Sequence, residues 1–288
     1  MCVTCGCSDD NAKISYPQNQ AVIISSHGDE HHHTHTLPDG TIINHSHSHD
    51  TINNTSEIHA KIHNTTISLE QDILAKNNLI AAQNRGWFKG RNILALNLMS
   101  SPGSGKTTLL TRTINDLKNK LTISVIEGDQ ETINDAKKIE ATGCKVVQIN
   151  TGTGCHLDAL MIEKGLQQLN PELDSIVMIE NVGNLVCPAL FDLGEQAKVT
   201  ILSVTEGEDK PIKYPHIFKA SDVMIITKID LLPYVQFDVE KCIEYARQVN
   251  PSIRIFQLSA VTGTGLEDWY QSLEMGRVNT TGVTPFPP

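Results

Sequence analysis

The residues with the clearest chemical potential are Ser100-Ser101-Pro102-Gly103-Ser104-Gly105-Lys106-Thr107-Thr108. They follow an apolar run and precede a helix-spaced segment, as a phosphate-binding loop requires: backbone N–H groups and a helix N-terminus cradle phosphates, Lys106 reaches the terminal ones, and the Thr107 hydroxyl binds Mg2+. Ser100 stands where the usual pattern opens with glycine; Gly103, Gly105, Lys106 and Thr107 are in place. These residues predict a nucleoside triphosphate site.

Which base is bound depends on Thr227-Lys228-Ile229-Asp230, after another apolar run. A carboxylate at Asp230 accepts from both the ring N–H and the exocyclic amine of guanine, an amine that adenine lacks, so the expected nucleotide is GTP. Thr227 stands where GTPases commonly carry Asn. Ser259-Ala260, after the next apolar run, fits the loop whose backbone meets the guanine oxygen. A metal-bound triphosphate also needs carboxylates at adjacent strand ends. Asp129 and Glu180 are placed for that, with Glu180 three residues before Gly183. No residue stands out to orient an attacking water, so slow, switch-like hydrolysis is expected.

The remaining chemistry is metal ligation. Cys2, Cys5 and Cys7 form C-x-x-C-x-C at the chain start; with Met1 removed, three thiolates and the amine make a four-ligand set suited to Ni2+, or a tetrahedral thiolate set suited to Zn2+. A redox C-x-x-C would normally sit at a helix N-terminus inside a fold. His27, His31, His32, His33, His35, His45, His47 and His49 read as a multi-site buffer for a borderline metal. Cys155-His156, read as opening a helix, and Cys187, read as lying in the loop after Glu180, are on composition alone either bystanders or a ligand set. Cys144 and Cys242 read as packing residues.

The elements that must position these groups follow from periodicity. Strands are expected at 92–99, 122–127, 145–149, 175–180, 198–204, 222–227 and 253–258, with helices at 106–119, 130–142, 156–169, 238–249 and 265–275. Apolar strands alternating with helices predict an α/β fold: a mostly parallel sheet covered on both faces, with ligands outside the strand carboxyl ends. Ser68 and Gln71 form a capping-box pattern for a helix over 69–84, ended by Gly86 and Gly90. Residues 1–66 are expected to be a flexible Cys/His-rich tail and 67–288 the nucleotide-binding domain.

Composition agrees. Ten of the twelve histidines lie between His27 and His63, and half of the net charge of -10 comes from residues 1–66, which sets that stretch apart from an ordinary globular body. Such a polar segment buries too little apolar surface to offset the ordering of its backbone. No apolar run approaches the roughly 18 to 20 residues of a membrane helix, and the N-terminus lacks a signal-peptide pattern, so a cytoplasmic protein without membrane partners is expected. The acidic balance and the lack of clustered Lys and Arg argue against nucleic-acid binding. Seven cysteines in a reducing compartment do not suggest a disulfide framework.

The chain resembles the HypB family of GTPases that help insert nickel into [NiFe]-hydrogenase. The likeness runs nearly full length. It rests on Met1-Cys-Val-Thr-Cys-Gly-Cys7, the histidine tract, Asn150-Thr-Gly-Thr-Gly-Cys-His-Leu-Asp158, Glu180-Asn-Val-Gly-Asn-Leu-Val-Cys-Pro188 and Thr227-Lys-Ile-Asp230. The resemblance implies a tight nickel site at Cys2, Cys5 and Cys7 and a weaker nickel or zinc site at Cys155, His156 and Cys187, at a symmetric dimer interface coupled to nucleotide. It also implies hand-over to a HypA-type chaperone and then to the hydrogenase large subunit. A urease-type nickel GTPase would carry Cys-Pro-His where Cys187-Pro188 is followed by Ala189, and a non-enzymatic metal store would not need Lys106, Thr107 and Asp230 intact.

Overall fold

The computed structural model describes residues 32–36, 42–46, 54–129, 134–278 and 286. Chain contacts divide it into two units, Met1–Gln71 and Asp72–Pro288. In the first unit, β1 (His32–Thr36) and β2 (Ile42–Ser46) pair antiparallel with His33 opposite His45, so two short strands lie within the histidine tract. A long helix, α1 (Asn54–Gly90), begins there and enters the second unit. It starts well before the capping box at Ser68 and runs through Gly86, because an isolated glycine costs a helix only about 1 kcal/mol.

The second unit continues through β3 (Leu94–Ser100), α2 (Lys106–Leu117), β4 (Ile123–Asp129), α3 (Asn134–Glu140), β5 (Lys145–Asn150), α4 (Ala159–Leu169), β6 (Ile176–Glu180) and α5 (Cys187–Leu190). It then runs through β7 (Ala197–Ser203), α6 (Lys210–Lys213), α7 (Pro215–Ala220), β8 (Val223–Thr227), a 3-10 turn over Ile229–Tyr234, α8 (Val239–Val249), β9 (Arg254–Gln257) and α9 (Leu266–Val278). Seven strands form one sheet in the order β5-β4-β6-β3-β7-β8-β9, and every pair in it is parallel. All seven expected strands form, and the four-residue α5 and α6 and six-residue α7 are additions too short for periodicity to reveal.

The strands read as unbroken apolar runs because both faces are covered, and alternate residues supply the two layers. Leu94, Leu96 and Leu98 of β3 join Leu110, Ile114 and Leu117 of α2 and Trp269 and Leu273 of α9 in one core, where Phe286 stacks on Trp269. Ile93 and Ala95 join Phe88 of α1 and Ile162 and Leu166 of α4 on the opposite face, while Met99 joins Phe218 of α7 and Ala246 of α8 there. Cys242 is buried among the last group, and the half-buried Cys144 thiol donates to Ile123 O at 3.1 Å, so both are packing residues. No helix among the described residues is long and apolar enough to cross a membrane.

β3 lies between β6 and β7, so the loop after Ser100 is flanked by the carboxyl ends of both. This is the crevice in which open α/β sheets bind ligands.

Candidate nucleotide and metal sites

The loop between β3 and α2 turns on two glycines in left-handed backbone, Gly103 at φ 75° and Gly105 at φ 96°. Gly105 is the N-cap of α2 and offers no side-chain cap, which leaves the first N–H groups of α2 available to an anion. Lys106 is buried and its Nζ donates to Ser100 Oγ at 2.8 Å, so Ser100, where glycine is usual, supplies a resting partner for the ammonium. Burial lowers the Lys106 pKa, opposed first by Glu180. Ser104 is buried within the turn, and Thr108 lies in the first turn of α2, where its carbonyl accepts from Thr111 at 3.1 Å.

Thr107 Oγ1 donates to Glu180 Oε1 at 2.7 Å, which joins the helix start to the end of β6. Glu180 is buried, its second oxygen has no hydrogen-bond partner, and burial raises its pKa against the pull of Lys106 and Thr107. Asp129 ends β4. The segment after Glu180 comes close to the loop, and a Cβ on Gly183 would meet Pro102 at 3.1 Å, tighter than most side-chain contacts.

Sequence reasoning missed Glu127. It lies on β4 directly opposite Glu180, is buried, and has an unpartnered Oε2. Burial first, then Glu180 and Asp129, push its carboxyl up to about 8. In the sequence Glu127 stands directly after the apolar run Ile123–Ile126, two residues before Asp129.

At the other side of the loop, Thr227 Oγ1 donates to Ser104 O at 2.7 Å and Lys228 Nζ to Gly103 O at 2.7 Å. Thr227 therefore ties β8 to the phosphate loop with a hydroxyl where an Asn amide is common. Asp230 sits in the 3-10 turn with Oδ1 buried and without a partner, an acceptor awaiting a donor. Ser259 is fully buried and its Oγ accepts from Thr262 N at 3.1 Å, while Ala260 O accepts from Arg112 at 3.1 Å, so that loop is held beside α2.

Cys155, His156 and Cys187 come together, with one ligand atom from each within 4.8 Å of the others. They are the one such group of three among the described residues. Two local expectations are corrected. Cys155-His156 precedes α4 instead of opening it, because Asp158 is the N-cap and accepts from Met161 N at 2.7 Å. Cys187 opens the one-turn α5, with Pro188 at a helix-start position that tolerates proline. The His156 ring is buried and stacks on Phe191 at 3.9 Å, and burial lowers its pKa, which favours the neutral, metal-ligating imidazole. Two thiols and an imidazole suit Zn2+ or Ni2+ and leave at least one coordination position open. Cys2, Cys5 and Cys7 lie outside the described residues, as do His27, His31, His47 and His49.

Residues 94–257 match the family described as CobW/HypB/UreG, nucleotide-binding domain. Hydrogenase maturation factor HypB of Escherichia coli (strain K12) is 57% identical over 211 residues, covering 73% of this chain and 73% of that protein. The crystal structure of HypB from Helicobacter pylori in complex with nickel is similar with a TM-score of 0.67 at 37% identity, over 71% of this chain and 96% of that one. HypB from Archaeoglobus fulgidus is similar with a TM-score of 0.65 at 40% identity, over 70% of this chain and 98% of that one. With a family match across the whole parallel sheet and curated relatives of this identity and coverage, the chain belongs to the HypB family of CobW/HypB/UreG nucleotide-binding proteins.

Proposed function

We propose that this chain is a GTP-hydrolysing metallochaperone that binds nickel and helps insert it into the large subunit of [NiFe]-hydrogenase. The observation that carries this reading is the presence, on one carboxyl edge of a HypB-family sheet, of a phosphate loop tied to Glu180 and a cluster of two thiols and a buried imidazole. In it, Lys106 leaves Ser100 for the terminal phosphates, and the N–H groups of Gly103, Ser104, Gly105, Thr107 and Thr108 hold the phosphate oxygens. Asp230 accepts from the guanine ring N–H and amine, with Thr227 and Lys228 fixing the loop and Ser259 and Ala260 lining the base.

The Thr107–Glu180 pair, with its unpartnered second oxygen, fits a hydrated Mg2+, with Asp129 at the neighbouring strand end. Such an ion neutralises charge on the phosphates. Hydrolysis joins a water oxygen to the γ-phosphorus and breaks its bond to the bridging oxygen, giving GDP and phosphate.

Cys2, Cys5 and Cys7 form the tight nickel site in a metal-binding N-terminal segment, residues 1–66, that precedes a GTPase domain over 67–288. Cys155, His156 and Cys187 take nickel or zinc. Three ligands per chain leave positions that a two-fold partner copy can help close, so GTP and metal favour a homodimer. A HypA-type chaperone and the hydrogenase large subunit receive the nickel, and the work takes place in the cytoplasm without nucleic acid or membrane.

The test is turnover of GTP against ATP together with nickel titration of the full chain and of a chain lacking residues 1–66. GTP-selective turnover, with a tight nickel site that disappears with the tail, is expected. Equal turnover of ATP, or no nickel bound by the full chain, would overturn the reading.

A further inference from the structure

Between the phosphate end and the thiol–imidazole cluster runs a buried chain of side-chain amides that neither function uses directly. Asn181 follows Glu180 and is 1% exposed. Its Oδ1 accepts from Leu157 N at 3.1 Å, the amide next to His156, and from its own neighbour Val182 N at 3.0 Å. Its Nδ2 donates to Asn97 Oδ1 at 3.1 Å, on the strand that leads into the phosphate loop. Asn97 is fully buried and donates in turn to Glu195 Oε1 at 3.1 Å, and Glu195 Oε2 accepts from Leu193 N at 2.7 Å. Leu193 lies two residues beyond Phe191, the ring stacked on His156. His156 is thus held from both sides by one network, through its following amide and through its stacking partner, and that network is rooted beside Glu180.

We propose that Asn181 is the positioning residue that couples the two ends, converting a shift of Glu180 on nucleotide binding into a shift of the His156 segment relative to Cys187. The inference rests on the reading of the two ends as nucleotide and metal sites. A buried network with every member satisfied moves as a unit, because breaking one bond leaves a desolvated donor or acceptor. Leu157 N donates to Asn181 Oδ1 in a buried position, so displacement of the residue after Glu180 carries the His156 backbone with it. The side-chain hydrogen bonds of Asn181 go to Leu157, Val182 and Asn97, none of them a phosphate-loop or metal-ligand residue, so its loss should spare each site separately.

The experiment measures nickel affinity with and without saturating GDP, in the full chain carrying Cys2→Ala, Cys5→Ala and Cys7→Ala in every arm so that the sulfur-to-nickel charge-transfer band reports Cys155 and Cys187 alone. Free nickel is set by a chelating buffer. With Asn181 present, GDP changes the nickel affinity by at least about fivefold. In Asn181→Ala, both ligands bind within about threefold of the parent, and the GDP-dependent factor falls below about twofold. A role confined to folding would lower both affinities and leave their ratio. Should Asn181→Ala fail to fold, Asn97→Ala, which leaves Leu157 N its acceptor while releasing the amide's anchor, reads the same factor. A folded variant that retains the full factor overturns the assignment; absence of any factor in the parent overturns instead the reading of coupled sites on which it rests.

Discussion

The phosphate-loop end and the thiol–imidazole cluster sit on one sheet edge but are built differently. At the phosphate end, polar groups are held by one another: Lys106 by Ser100, Thr107 by Glu180, Lys228 by Gly103. A ligand bound there would exchange these hydrogen bonds for its own and meet the unpartnered oxygens of Glu127, Glu180 and Asp230. At the cluster, His156 is held by packing, buried and stacked on Phe191. The difference is that the first site is tuned by charge and the second by shape, so charge substitutions should damage the first and truncations the second.

The largest expected effect is at the charge-tuned end. Lys106→Ala should reduce GTP turnover by at least about a hundredfold while leaving nickel binding at the cluster intact, checked by single-turnover kinetics and thiolate absorbance. Next, Asp230→Asn should weaken GTP by at least about tenfold, or 1.4 kcal/mol, and shift preference toward xanthosine triphosphate, because the amide donates where guanine needs an acceptor. Competition binding with the two nucleotides reads this. At the shape-tuned end, Cys187→Ala should weaken cluster nickel by at least about tenfold without changing GDP affinity, and should remove the metal-dependent part of dimer formation in sedimentation.

A smaller effect concerns protons. Glu127, held up to about 8 from an ordinary value of 4.5, keeps a proton in the folded chain that the unfolded chain releases. Folded protein then binds more protons than unfolded across that window, so the contribution to stability is complete in acid and is lost as pH rises through 8. Glu127→Gln should flatten this fall, seen in urea midpoints of the nucleotide-free chain at about pH 5 and about pH 8. Smallest of all is Arg85→Ala, which removes a partly exposed pair with Asp192 and should cost less than about 1 kcal/mol in the same assay.

The comparison also explains what could be read from the amino acids. The seven strands were legible because burial on both faces writes each as an apolar run, and the phosphate loop because nine consecutive residues carry it. Asp230 and Glu180 followed from their places after such runs. The cluster was legible from its residues only as ligand types placed after strands, since Cys155 before α4 and Cys187 at the start of α5 approach one another through the strand order. Glu127, Asn97, Asn181 and Phe191 were not read because their roles arise from contacts across strands and loops. The early start of α1 escaped because residues 54–66 are mostly polar, with Ile58, Ala60 and Ile62 their apolar members.

The most direct test of a charge-tuned site and a shape-tuned site sharing one edge is an anomalous diffraction map at the nickel edge from crystals of the full chain grown with GDP, magnesium and nickel. The account predicts a nickel peak bonded to the sulfurs of Cys155 and Cys187 and a ring nitrogen of His156, with GDP phosphates at the N-terminus of α2, the guanine edge on Asp230, and Thr107 and Glu180 around magnesium. Nickel elsewhere while these three side chains point apart, or a nucleotide whose base lies away from Asp230, would contradict it.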